Sequence, residues 1–94
     1  MLYKKNESTK PWFVYMVKCS DGSIYTGISN AVEDRLKEHN SGQGGEYTST
    51  RRPVKLIFQE EHPDKFSARK REEQIKNWGR VKKEVLSRLR VSRQ

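Results

Sequence analysis

Cysteine is almost absent, with Cys19 alone among 94 residues. That excludes an internal disulfide framework and a cysteine-rich zinc site. No histidine lies near Cys19 in sequence, so it is expected to be a buried strand residue rather than a nucleophile. Apolar residues are also scarce, at 32% of the chain, and no run approaches the ~20 apolar residues of a membrane span. No apolar signal core follows the amino terminus. The expectation is a soluble, cytoplasmic protein without a membrane partner, and a single domain with one modest core. Apolar runs fall between Trp12 and Leu89, which predicts a flexible leader over 1–11, the domain over 12–89 and a basic tail over 90–94.

Acidic charge is lacking where it would balance the carboxyl-terminal part. The formal net charge is +8. Counting Lys and Arg against Asp and Glu, residues 1–11 carry +2, 12–30 carry 0, 31–65 carry −1 and 66–94 carry +7. Such a field draws polyanions, of which nucleic acid is the commonest large one. Ribosomal, membrane-surface and solubilising readings stay open on charge alone.

The stretch Phe13–His39 organises what is present. Trp12–Cys19 is rich in aromatic and β-branched residues and predicts a strand, with Ile24–Ile28 as its partner across Ser20-Asp21-Gly22. A two-residue loop would pair Lys18 with Tyr25. A three-residue loop with Gly22 as the bulged residue would pair Val17 with Tyr25, and that register places Tyr15 and Tyr25 on one face. We expect the second. Asn30 reads as the cap of a first helix with Glu33 completing a capping box. Val32 and Leu36 form its apolar line, and Arg35 and His39, four apart, flank it. The helix should end near Asn40, followed by the flexible loop Ser41–Gly45. Val54–Phe58 reads as the third strand, and 60–65, with Pro63, as a loop. Helical spacing begins at Ser67, with Ala68 and Ile75 on one face and Glu72 toward the same side. Gly79 divides this helix from another carrying Val81, Val85, Leu86 and Leu89.

Five polar side chains fall where this pattern lets them converge: Tyr15, Tyr25, Arg35, His39 and Glu72. The set suits phosphodiester hydrolysis. Glu72 would hold a hard divalent cation through oxygen, Arg35 would grip a phosphate with its planar fork, and Tyr15, Tyr25 or His39 would orient or deprotonate water. Each has a plainer account. Strand tyrosines pack, Arg35 and His39 sit on helix surfaces with Glu38 and Asp34 for charge partners, and Glu72 pairs with Arg69 or Lys76.

The chain resembles the GIY-YIG nuclease domain family, and within it the small stand-alone bacterial members related to the nuclease module of excision repair. The two name-giving tripeptides stand here as Val14-Tyr15-Met16 and Tyr25-Thr26-Gly27, followed by TGISNAVEDRLKEHNSGQG, EYTSTRRPVKLIF and HPDKFSARKREEQIKNW. The resemblance spans residue 12 to about residue 86. It implies an α+β fold, a small three-stranded antiparallel sheet with flanking helices. By position, Tyr15 is similar to the family tyrosine proposed to activate water, and Tyr25 to the one that helps place water and phosphate. Gly27 is similar to a packing glycine, and Arg35 to the arginine that binds the scissile phosphate. His39 falls at a position held by histidine or tyrosine, and Glu72 at the glutamate that binds a single Mg²⁺ or Mn²⁺ ion. Tyr47 and Thr48 match a Tyr-Thr pair after a Gly-rich loop. Relatives commonly carry lysine where this chain has Glu46, and a downstream family asparagine has only Asn77 as a counterpart.

These implications favour a divalent-metal-dependent endonuclease acting on DNA that is structured, damaged or single-stranded, with RNA as a further partner and a repair protein as a companion. Lys76, Lys82, Lys83 and Arg88 would contact the nucleic-acid backbone, which positions a protein without supplying sequence information. The alternative is a catalytically weak or inactive nucleic-acid-binding or adaptor module.

Overall fold

The computed structural model describes residues 10–91. Residues 1–9 of the expected leader and 92–94 of the expected tail lie outside the described residues. Three antiparallel strands run in the order β2-β1-β3: β1 Trp12–Lys18, β2 Ile24–Ser29 and β3 Lys55–His62. Among the described residues four helices complete the fold: α1 Val32–Ser41, α2 Glu46–Ser49, α3 Lys65–Lys76 and α4 Arg80–Val91. This is the expected α+β architecture.

β1 is central because its sequence can be buried on both sides. Val14 and Met16 face α3 and α4, with Ile24, Phe58, Ala68 and Ile75. Tyr15 and Val17 face α1, with Val32, Leu36 and Val54. A continuous apolar run, rather than alternation, is what such a strand requires. The β1–β2 loop has three residues, as expected. Cys19 N–H donates to the Ser23 carbonyl at 2.8 Å and Gly22 N–H to the Cys19 carbonyl at 2.9 Å, with Gly22 at φ +87°. Val17 therefore pairs with Tyr25, and Tyr15 with Gly27.

Several boundaries differ from expectation. β3 continues through Glu60, Glu61 and His62, where the sequence pattern predicts a loop. An edge strand tolerates charge because one flank meets solvent. Glu60 is held there by His62 Nε2 at 2.9 Å and Arg71 Nε at 3.0 Å, and Pro63 falls just past the last paired residue. A register shift opposite Met16/Val17 adds one residue to β3, so Leu56 packs on the α1 face while Ile57 and Phe58 pack on the other.

Asn30 does not cap α1. The helix starts at Val32 without a side-chain cap, and the Ser29 hydroxyl accepts the Ala31 N–H at 2.9 Å. α3 starts two residues before Ser67, because Asp64 caps it, accepting the Ser67 N–H at 2.8 Å. The single turn α2 was not anticipated. Among the described residues no helix is long and apolar enough to cross a membrane.

Candidate active site

Tyr15 is aimed by its cross-strand partner. A β-carbon on Gly27 would lie 2.7 Å from Tyr15 Oη and 2.9 Å from its Cζ, so the phenol ring lies across β2 over the one residue that leaves it room. Tyr25, two residues earlier on β2, stands beside it with ring centroids 6.4 Å apart. The two tyrosines share a face, as the register predicted.

His39 comes from the last turn of α1 and is completely buried, deeper than the flanking position read from helical spacing. Its Nε2 is 2.8 Å from the Tyr15 hydroxyl and its Nδ1 is 2.8 Å from Thr48 Oγ1. Both nitrogens are thus engaged, as a buried imidazole requires. Gly44 closes over this histidine so tightly that any side-chain carbon there would overlap the ring. Burial, and after it the charge of Arg35, holds the His39 pKa below its ordinary value, against a smaller opposing effect of Glu38. His39 is therefore neutral at pH 7.

Arg35 lies one turn earlier on the same helix. Its Nη1 donates to Glu38 Oε1 at 2.8 Å and its Nη2 to the Gly44 carbonyl at 2.9 Å. Its pKa is raised chiefly by Glu38, with Tyr15 also contributing. Tyr15 is pushed up to about 12, mainly by burial, with Arg35 opposing and the charges of Tyr25 and Glu72 adding to the rise. The phenol is protonated at neutral pH. Arg35 on α1 and Glu72 on α3 come from helices that cover opposite faces of the sheet. Both helices pack against β2, which makes that strand their common ground.

Glu72 has a side chain only 14% exposed and is paired with Lys76 Nζ at 3.2 Å, the plainer partner foreseen from i,i+4 spacing. Among the described residues no three His, Cys, Asp or Glu side chains gather as a preformed metal cage. A single sheltered carboxylate nevertheless fits a hard divalent ion whose other ligands are water and substrate oxygens. Of the four basic residues expected on nucleic acid, Lys76 is engaged by Glu72, Lys82 Nζ lies 4.3 Å from the Trp78 ring centroid, Lys83 is partly buried and Arg88 is exposed. Burial, and after it Lys76, lowers the Lys83 pKa. Glu46 is exposed at the start of α2. Cys19 is free and buried.

Thr48 is the partner that spacing could not reveal. It sits nine residues from His39 across a glycine-rich loop, and its only sequence signal was membership of the Tyr47-Thr48 pair. Tyr47 and Arg51 were likewise unassigned: the Tyr47 ring is stacked with Tyr25 at 5.9 Å, and Arg51 Cζ lies 4.0 Å from the Tyr47 centroid.

A tyrosine laid over a glycine on the neighbouring strand, with an arginine and a buried histidine from the following helix, defines a GIY-YIG-type domain. The chain belongs to the GIY-YIG family: the GIY-YIG catalytic domain matches residues 11–84. It is 55% identical over 71 residues to a UPF0213 protein of Staphylococcus aureus strain Mu3, covering 76% of this chain and 87% of the relative. The solution NMR structure of a UPF0213 protein from Bacillus halodurans is similar with a TM-score of 0.54 and 40% identity, over 84% of each chain. That of a protein from E. faecalis matches with a TM-score of 0.58 and 34% identity, over 92% of this chain and 93% of that one. The family is one of nucleases, generally metal-dependent, with nucleic acid as substrate.

Proposed function

We propose that this protein is a divalent-metal-dependent endonuclease that hydrolyses phosphodiester bonds of DNA, with structured, damaged or single-stranded DNA as the substrate. The observation that carries the reading is the buried line Tyr15–His39–Thr48, bordered by Arg35. A hydroxyl and an imidazole aligned this way form a path along which a proton can pass into the core.

Tyr15 is protonated, so it takes a proton only as it gives one up. Neutral His39, with Nδ1–H donating to Thr48, presents Nε2 as an acceptor for the Tyr15 O–H. Water attacking phosphorus would pass its proton to Tyr15 Oη while the Tyr15 proton moves to His39 Nε2. The P–O bond on the far side breaks, and the leaving oxygen takes a proton from solvent. Arg35 binds the non-bridging oxygens whose charge grows in the transition state, exchanging Glu38 for phosphate. Tyr25 packs against Tyr15 and His39 and limits their freedom. Glu72 would hold the ion, Mg²⁺ or Mn²⁺, which when bound polarises the phosphate and offsets charge on the leaving oxygen. Lys76, Lys82, Lys83 and Arg88 add backbone contacts.

A second reading, a binding or adaptor module with weak chemistry, is favoured by one observation. Glu72 and Arg35 are both engaged by intramolecular partners. Incubating labelled duplex, forked and single-stranded DNA with Mg²⁺ or Mn²⁺ separates the two. Cleavage reduced about 100-fold or more by Arg35→Ala, the usual scale for removing one transition-state donor, and abolished by Glu72→Ala supports the enzyme. Salt-sensitive binding without cleavage would support the module.

A further inference from the structure

The aromatic contacts do not end at the buried pair. His39 meets Tyr25 edge-on at 5.3 Å, and Tyr25 stacks on Tyr47 at 5.9 Å with 29° between planes. Tyr47 carries the Arg51 guanidinium 4.0 Å from its centroid. The series leads from the core to solvent, where Tyr47 is 40% exposed. It begins at His39, the group proposed to take the Tyr15 proton, and ends at Tyr47 on the α1 side of the sheet.

Arg51 is not arranged to grip phosphate. Its Nε donates to Asp21 Oδ2 at 3.1 Å, and its Nη1 donates to the Tyr47 carbonyl at 2.8 Å. These bonds tie the fork to the protein, and the Asp21 carboxylate offsets its charge. What remains on offer is a fixed guanidinium plane layered on an aromatic ring, a surface that suits the face of a nucleobase.

We propose that Tyr47 and Arg51 form a stacking platform for an unpaired nucleobase next to the scissile phosphate, so that the protein favours single-stranded or frayed nucleic acid over continuous duplex. This rests on the nuclease reading for the position of that phosphate and deepens it by naming the substrate class. A base within a duplex is already covered on both faces, and reaching the platform would require unstacking it. Because every base has a π-face, the platform imposes little sequence preference.

The test is binding in EDTA, where no metal-dependent cleavage occurs, so its outcome is readable whether or not the protein proves to be a nuclease. Fluorescent oligothymidylate is compared with an abasic oligomer of equal length and charge, and with blunt duplex. The wild-type protein should prefer the thymidylate over the abasic strand by roughly 5- to 100-fold, the range of one base stacked on an aromatic group. Tyr47→Leu should shrink that ratio at least about fivefold and leave duplex affinity within about twofold, while Tyr47→Phe keeps the ratio. Arg51→Lys, which retains charge but loses the plane, should shrink it as well, and serves in place of Tyr47→Leu if that variant does not fold. The proposal is overturned if wild-type protein binds the two strands alike or neither of them, or if the variants weaken all three ligands by one common factor.

Discussion

On the α3 and α4 side of the sheet the interior is Val14, Met16, Ile24, Phe58, Ala68 and Ile75. On the α1 and α2 side, Tyr15, Val17, Cys19, Val32 and Val54 share the interior with buried His39 and Thr48. The first side gains stability chiefly from apolar burial. The second encloses two hydroxyls and an imidazole, each of which must find a partner to avoid a desolvation cost. The buried polar groups are thus concentrated on one face, while the opposite face, which also carries Glu72 on α3, supplies the anchorage that lets a 94-residue chain hold a polar interior. Thr26 and Ser87 are buried hydroxyls on the apolar side; Ser87 donates to the Glu84 carbonyl at 2.9 Å, whereas Thr26 has no hydrogen-bond partner among the described residues.

The comparison breaks if the apolar face can be emptied without global loss. Ile75→Ala removes a fully buried side chain from α3 and should cost about 2–5 kcal/mol, lowering the thermal midpoint by roughly 4–8 °C per kcal/mol in a domain of this size. A midpoint within a few degrees of wild type in a thermal melt would deny that face its anchoring role. His39→Leu on the other face should cost a comparable amount, about 1–3 kcal/mol for each of the two hydroxyls left unsatisfied, and in addition should abolish cleavage.

The same histidine gives the polar face a signature in pH. Its folded pKa lies below the ordinary value because burial and Arg35 oppose its charge. The unfolded chain therefore binds the proton more readily. The stability contribution is intact above the unfolded pKa near 6.5 and is lost as pH falls from there toward the folded value. Asp21, Glu60 and Asp64 have folded pKa values lowered from the ordinary carboxylate range, so their losses come at lower pH. Denaturant midpoints measured between about pH 7 and about pH 5 should decline for wild type and flatten in His39→Leu. Equal slopes for the two proteins would assign the effect to another group.

Legibility followed the same division. The β1–β2 register was readable because Gly22 admits one loop length that keeps Tyr15 and Tyr25 on a common face. Apolar spacing of Ala68 and Ile75 likewise located α3. The polar pairing of His39 with Thr48 was not readable, since it depends on how a glycine-rich loop folds back, and such a loop has no period. α2 is one turn, too short for helical spacing to register. The charged end of β3 was not readable because Pro63 argues against a central strand, whereas β3 is an edge strand that tolerates the charge and ends just before the proline.

The helix starts supply the smallest test of the comparison. Asn30 and Asp64 are both residue types favoured at helix caps, but only Asp64 does so, accepting bonds from the Ser67 N–H and hydroxyl. α1 begins without a side-chain cap, because Ser29 already takes the Ala31 N–H and the chain enters the helix one residue after Asn30 would require. Asp64→Ala should therefore cost about 1 kcal/mol, while Asn30→Ala, at an exposed position, should stay within about 0.5 kcal/mol of wild type. A chemical denaturation pair resolves that difference. If Asn30→Ala is the costlier change, the first helix is held by its own cap, and the α1 face is locally better secured than its start implies.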